Sequence, residues 1–200
     1  MPTVFTELVV LPPPEIPPRK KWTRGECEFL DSLGFWESKH FELIDGELIN
    51  KIGKNRPHVF VTKAIHLWLI DIFGFERVEQ ENPIDVAPED NPASEPEPDL
   101  VVLREPSEHY RENPKPQDIL LAIEVADSTL DFDLSKKARL YARAGIPDYW
   151  VFDIKKRRVI VHREPAGDNY RSIVEYREHE SVTPLAASQA AFQVATAFGE

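Results

Sequence analysis

Three polar residues occupy positions where apolar ones would be expected. Asp99 opens the apolar run Leu100 to Leu103, Glu124 lies inside a second run, Ile119 to Val125, and Lys137 falls on the helical pattern that follows. Two carboxylates on adjacent strand ends can share a hard cation through oxygen ligands, and the carbonyl of Val125 could add a third oxygen. A lysine facing the same place would meet that anionic centre. Together these residues point to a metal-phosphate site.

Each also has a structural reading. Leu120, Leu121, Ile123 and Val125 put Glu124 in a strand too apolar to lie open to water. A carboxylate there needs a cation or strong donors, and a backbone amide or an arginine would serve as well as a metal. Asp99 alone is an ordinary strand-start aspartate after proline. At about 100° per residue, Leu134, Ala138, Leu140, Tyr141, Ala144 and Gly145 form one apolar arc with Lys137 in its middle. Lys136 falls outside the arc, and Arg139 and Arg143 point to the opposite, solvated side. Lys137 therefore faces the sheet, or else snorkels past Tyr141. Glu47, beside Asp45-Gly46, and His58, near a helix start, are further candidates with surface or capping alternatives.

The elements that must position these groups can be read in order. Residues 1–21 form a Pro-rich extended arm and 22–200 one domain. Thr23 and Glu26 make a capping box for a helix to about Leu33. Phe41 to Ile44 and Glu47 to Ile52 flank Asp45-Gly46, the signal for a type I′ hairpin. Val61, Ala64, Ile65, Trp68, Leu69 and Ile72 define one amphipathic helix between Pro57 and Gly74. Short strand pieces at Phe75 to Glu81 and Ile84 to Val86 lead into an acidic, Pro-rich loop ending at Asp99. The unalternated runs around Asp99 and Glu124 are expected of strands covered on both faces. A helix after Thr129 stops at Ala144-Gly145, with Pro147 beyond it. Tyr149 to Ile154, Val159 to His162 and Tyr170 to Tyr176 read as strands, and the tail from Ser181 as weakly helical. The fold expected is mixed α/β, a central sheet flanked by helices.

Composition sets limits. A hydrophobic content of 42% and a charged content of 30% are those of a soluble globular chain. No apolar stretch nears the roughly 20 residues that span a bilayer, and no secretory signal is visible. One cysteine, Cys27, excludes an intrachain disulfide and fits a reducing cytoplasm. The net charge of −11 counts against a partner rich in phosphates, so any basic surface must be local.

Several segments, taken together in order, resemble a known family. Glu42-Leu43-Ile44-Asp45-Gly46-Glu47-Leu48, Pro57-His58 and Pro96-Glu97-Pro98-Asp99-Leu100 carry the first half of the likeness. Ile123-Glu124-Val125, Ser128-Thr129, Lys137 four before Tyr141, and Ala144-Gly145-Ile146-Pro147-Asp148-Tyr149-Trp150 carry the second. The chain from about residue 22 to 198 is similar to the Uma-two family of endonucleases, in the PD-(D/E)xK, restriction-endonuclease-like superfamily. That resemblance implies a restriction-endonuclease-like core that hydrolyses phosphodiester bonds of nucleic acid, DNA foremost. A homodimer is expected because two copies could cut two strands, and the expected location is cytoplasmic. The resemblance further implies Mg²⁺ or Mn²⁺ on Asp99, Glu124 and the Val125 carbonyl, with Glu47 completing the acidic cluster. Lys137 would position the attacking water and offset phosphate charge, and His58 or Ser128 would touch a phosphate or an outer water. Ala126 stands where the family pattern puts its lysine, so that role has moved to the helix, and Lys137→Ala is expected to abolish activity without unfolding the chain. Asp127 departs from the family's usual Ser-Pro. An inactive nuclease-like binding or regulatory module, and a hydrolase of a small phosphodiester, are the competing readings. A positive stripe drawing on Lys51, Lys54, Arg56 and Lys63 would favour nucleic acid over a small substrate.

Overall fold

The computed structural model describes residues 17–35, 41–51 and 55–199. Most of the expected arm (1–16), Ile52 and Lys54 therefore lie outside the described residues. The chain begins with α1 (Arg24–Ser32), whose capping box joins Thr23 and Glu26 as the sequence predicts. A hairpin follows, β1 (Phe41–Ile44) and β2 (Glu47–Asn50). Asp45 (φ 49°) and Gly46 (φ 74°) both have positive φ, which is the type I′ turn. Next comes α2 (Arg56–Phe73), capped by the Asn55 side chain on the His58 N–H (3.0 Å).

Six strands form the central sheet: β3 (Val78–Glu79), β4 (Leu100–Leu103), β5 (Ile119–Ala126), β6 (Asp148–Asp153), β7 (Arg158–Ala166) and β8 (Asn169–Arg177), side by side in that order. Only β5 and β6 pair in parallel; every other neighbour is antiparallel. The crossover between them holds α3 (Leu130–Phe132), a π-helical turn (Asp133–Lys137) and α4 (Ala138–Ala144). Gly145 (φ 75°) ends α4 in the left-handed region, as the Ala-Gly-Ile-Pro spacing predicts. Beyond β8, β9 (Ser181–Val182) and β10 (Phe192–Gln193) pair with each other. The tail is thus a small ribbon with short 3₁₀ turns, not the helix expected. Ile84 to Val86 form no strand either, because Ile84 N–H bonds the Pro96 carbonyl (3.0 Å) as an irregular segment.

Strand pleating divides the core between two layers. Leu121, Ile123, Val125, Trp150 and Phe152 face α2 and the tail residues Phe192 and Val194. Ala122, Ala126, Tyr149 and Val151 face Leu140 and Tyr141 of α4, together with Ile44, Ile84 and Val86. Two covered faces explain why the β4 and β5 sequences show no polar alternation. A bulge adds to this: Val102 pairs with Leu121 but Leu103 with Ile119, which leaves Leu120 extra. Among the described residues, no helix is long and apolar enough to cross a membrane.

The hairpin is tied down through the acidic loop. Gly46 N–H donates to the Ala93 carbonyl (2.7 Å), Glu95 N–H to the Leu43 carbonyl (2.6 Å), and Asp45 N–H to Ser94 Oγ (3.0 Å). This seating makes Gly46 sensitive to any side chain. A Cβ added there would stand 2.9 Å from Lys21 Cβ, in a backbone region that L-residues avoid. Gly46→Ala is expected to cost about 1–3 kcal/mol in urea unfolding, whereas a change within error would mean that the turn is not held as described.

Candidate active site

Antiparallel pairing of β4 with β5 sets Leu100 opposite Ile123. Asp99, one residue before β4, therefore lands beside the last residues of β5. Its Oδ2 accepts the Val125 N–H at 2.7 Å, which continues the ladder with a carboxylate just before β4 begins. In an extended strand a residue's N–H and C=O leave on the same side, so the Val125 carbonyl also faces away from β6. Ala126 turns the other way and accepts from Ile154 N–H (3.0 Å). His58 Nε2 lies 3.3 Å from the same Asp99 oxygen, with its Nδ1 3.3 Å from Thr62 Oγ1 on the next turn of α2.

Glu124 points to the opposite layer. Its Oε1 accepts from Lys137 Nζ (2.8 Å) and from the Tyr141 hydroxyl (3.0 Å). Lys137 also lies 2.9 Å from Glu42 Oε2, the oxygen that accepts the Glu97 N–H at 3.3 Å. Lys137 is 3% exposed and is the only buried lysine among the described residues. Facing inward with it, four residues earlier, is Asp133, which accepts from Thr129 Oγ1 (2.7 Å). Glu42, Asp99, Glu124, Asp133, Lys137 and His58 all line one cavity of about 240 Å³, with Ser128 and Asp127 at its wall.

Sequence and structure differ at three places here. Glu47 is not in this group: it is half-exposed and bridges Lys136 (2.6 Å) and Lys21 (3.2 Å). Glu42 stands inside instead. The hairpin register explains both placements, since Glu42, Ile44 and the partners Ile49 and Glu47 share one face. The glutamate far from the turn reaches inward and the one at the turn stays at the rim. Alternation along Glu42-Leu43-Ile44 carried that signal. Asp133 was not singled out from the sequence, although its spacing carried a signal: four residues before Lys137, an even rotation of about 100° per residue places it about 40° from that lysine. A π turn lies between them, with Ala138 N–H reaching back to the Asp133 carbonyl. Arg143 is not on a solvated face: it pairs with Asp90 (2.7 Å) and lies 3.5 Å from Asp45, which clamps α4 to the acidic loop and the hairpin.

Glu124 and Asp133 are buried beside Lys137, the one buried lysine among the described residues, and burial is the largest influence on the charge of both. It pushes Asp133 up from 3.8 to about 6, against the opposing pull of Lys137 and the Thr129 hydroxyl. It also drives Glu124 upward, again opposed by Lys137. Burial alone would lower Lys137, but Glu124, Glu42 and Asp133 overcome it and hold the ammonium well above its ordinary range. Lys137 is therefore a fixed cation rather than a base. Tyr141 is raised by burial and by Glu124, so its hydroxyl stays a donor.

A family model described as "Putative restriction endonuclease", Uma2, matches residues 28–197. The chain belongs to the Uma2 family. The structure also resembles a crystal structure described as that of "a putative nuclease belonging to DUF820" from Anabaena variabilis ATCC 29413. Identity is 16% and the TM-score 0.62, over 79% of this chain and 89% of that one. The fold of this Uma2 chain is accordingly restriction-endonuclease-like, a mixed sheet flanked by helices. No curated protein matches the sequence.

Two predictions follow from the buried charges. Removing Lys137 leaves Glu42 and Glu124 facing each other without a cation. The expectation that Lys137→Ala spares folding therefore gives way to a loss of about 3–5 kcal/mol near neutral pH. Lys136→Ala breaks only a half-exposed pair and should cost less than about 1 kcal/mol. Equal losses in chemical unfolding would contradict this placement. Asp133 binds its proton more tightly folded than unfolded, so its contribution to stability is complete below 3.8 and is lost as pH rises to about 6. Asp133→Asn and wild type should melt alike near about pH 4, and the variant should gain up to roughly 3 kcal/mol relative to wild type by about pH 7 in metal-free buffer. A difference that does not change with pH would refute the shift.

Proposed function

We propose that this Uma2 chain is a metal-dependent endonuclease that hydrolyses phosphodiester bonds of nucleic acid at the cavity between β5, α2 and the α3–α4 crossover. The observation that carries this reading is the cluster itself: Glu42, Asp99, Glu124 and Asp133, each less than a tenth exposed, line one cavity with Lys137, the single buried lysine among the described residues. Carboxylates gathered this closely favour the uptake of protons or a cation. The donors are hard oxygens, the type that suits Mg²⁺ or Mn²⁺. Among the described residues no three His, Cys, Asp or Glu side chains already form a metal cage. The ion we propose is held as Mg²⁺ usually is, by one or two carboxylates and water. Asp99 and Glu124 would be those carboxylates, with the Val125 carbonyl on the same side as Asp99.

When bound, a divalent cation there would polarise a phosphoryl oxygen and acidify a water molecule. The remaining roles belong to the chain. Lys137, kept protonated and held at 2.8 Å from Glu124 and 2.9 Å from Glu42, presents a fixed positive charge to a phosphate entering the cavity. Val125 N–H fixes the orientation of the Asp99 carboxylate. His58 and Ser128 line the same cavity, where either could touch an entering phosphate. Glu47 holds Lys136 at the rim and takes no part in the chemistry.

Calorimetric titration with Mn²⁺ tests the reading without a guess at the substrate. Wild type is expected to bind, and Asp99→Asn and Glu124→Gln to bind at least about tenfold more weakly, the scale typical of altered metal sites. An asparagine oxygen can still accept from Val125 N–H, so Asp99→Asn should remain folded. Failure of the wild type to bind Mn²⁺ would reject the metal-dependent reading and leave a nuclease-like module without catalysis.

A further inference from the structure

We infer that a second, shallower groove on the other side of the α2 N-terminus holds a single strand of nucleic acid and leads it to the acidic cavity. This inference deepens the nuclease reading and rests on it for the destination of the strand. The groove, of about 890 Å³, lies between the first two turns of α2, the β6–β7 turn and the chain's end. Arg56, Phe60 and Lys63, spaced i, i+4, i+7, line it from α2. Lys155 and Arg157 line it from the turn, and Phe198 closes its floor.

The chemistry of this lining is unusual in a chain of net charge −11. Arg56 and Lys63 are exposed, and neither has a carboxylate within ion-pair distance among the described residues. Lys155 is 67% exposed and reaches Asp127 only at 3.9 Å. Among the described residues, the acids that pair with its lining are Asp127 of the cavity, near Lys155, and Glu178, which holds Arg157. Arg157 is fixed further by the Gly199 carbonyl (2.9 Å) and lies 5.4 Å over the Phe198 ring, so it acts as floor rather than as a free cation. Phosphates therefore have three mobile partners, Arg56, Lys63 and Lys155.

Phe60 adds the second half of the argument. It is 52% exposed, as Val59 (43%) and Leu67 (58%) of the same helix also are, while Val61, Ile65 and Leu69 are buried against the sheet; of the three exposed side chains Phe60 alone is aromatic. One ring edge rests on Gly199, where an added Cβ would stand 3.1 Å away. The ring is thus oriented but uncovered. An oriented aromatic flanked by unpaired cations is the arrangement that stacks a base while its neighbouring phosphates are neutralised.

Continuity with the cavity fixes the path. Asn55 lines the cavity and bonds Asp127, while Arg56, next in sequence, lines the groove. The two depressions are therefore separated by one residue of chain. A volume near 240 Å³ over carboxylates less than a tenth exposed admits a flexible phosphodiester more readily than a rigid duplex. One copy of the chain suffices for this, without the homodimer that cutting both strands would require. Of the four cations proposed from sequence as a stripe, Arg56 and Lys63 belong to the groove, Lys51 instead pairs with Glu97 (2.7 Å), and Lys54 is outside the described residues.

Fluorescence anisotropy with a labelled oligothymidylate of about 15 nucleotides, in chelator-containing buffer to prevent cleavage, reads the groove alone. The double variant Arg56→Glu/Lys63→Glu should weaken binding by about a hundredfold and flatten its salt dependence. Phe60→Ala should weaken it by about tenfold with the salt slope unchanged. The charge-matched control Arg111→Glu/Lys115→Glu, at the opposite end of β5, should bind within about twofold of wild type. Melting curves confirm that each variant is folded. The inference is overturned if wild type does not bind, if the control weakens binding as much as the groove variant, or if a duplex of the same length binds as tightly as the single strand. Its failure is distinct from that of the nuclease reading: Mn²⁺ binding without oligonucleotide binding removes only the groove. Oligonucleotide binding without Mn²⁺ binding keeps the groove and removes the catalysis.

Discussion

Lys137 lies between Glu42 and Glu124 in a region closed to bulk water, and much of the architecture exists to make that arrangement tolerable. A charged lysine is rarely buried unless paired, because the desolvation penalty amounts to several kcal/mol per ion. Here the two glutamates come from elements 82 residues apart in sequence, β1 and β5, and the lysine from the crossover that follows β5. The hairpin, the sheet and the crossover must all be in place before the three charges can satisfy one another. The ion pairs are therefore less a source of stability than a requirement that the fold be completed.

Topology solves the assembly problem at one point in the sheet. β4 enters antiparallel to β5 and β6 leaves parallel to it, so the carboxyl end of β5 is where an incoming strand begins and a helical crossover departs. Asp99 comes from the first, Asp133 and Lys137 from the second, and Glu124 from β5 itself. Open α/β sheets collect ligands at such strand ends because the connections diverge there and leave a crevice. The acidic loop before Asp99 adds the hairpin to this point through Ala93, Ser94 and Glu95, and Arg24 holds the loop from α1 through the Ser94 carbonyl (2.8 Å) and Asp85 (2.7 Å). Asp85 and Asp90 are thus engaged in internal clamps with Arg24 and Arg143, which localises their charge without changing the net −11.

What could be read in the sequence follows from how local each signal is. The capping box, the type I′ turn, the α2 stripe and the Gly145 stop involve a few consecutive residues, and each appears where it was expected. Lys137 could be oriented because most of its arc, from Ala138 onward, lies in regular helix. Asp133, four residues earlier, falls on the same arc at about 100° per residue, so its direction was legible too. Its burial and its bond from the Thr129 hydroxyl depend on packing that the helical pattern alone does not contain. The exchange of Glu42 for Glu47 has a different cause. Both lie on one face of a hairpin, and only depth, set by the distant acidic loop, distinguishes the buried position from the rim. Arg143 escaped for the same reason, since its partners Asp90 and Asp45 are contributed by segments far away in the chain. Asp148 shows the converse. It belongs to the stretch that carries the family likeness, yet it is fully buried and bonded to Trp150, Arg163 and Leu185 N–H, which is structural work.

Net charge was the strongest argument against a nucleic-acid partner, and it weakens once charges are placed rather than summed. Screening limits exposed charges to a range of about 8–10 Å at ordinary ionic strength. A strand lying against Arg56, Lys63 and Lys155 therefore responds to those residues and to Asp127, and hardly at all to acids on remote loops. Conversely, the carboxylates of the cavity are shielded from water and act at full strength on whatever enters. A cavity that repels anions when empty of cations, beside a groove that attracts them, makes a phosphate's entry depend on a cation arriving first or with it. For a hydrolase that must not act on nucleic acid indiscriminately, that dependence would be useful. It arises because, among the described residues, four buried carboxylates surround one buried lysine.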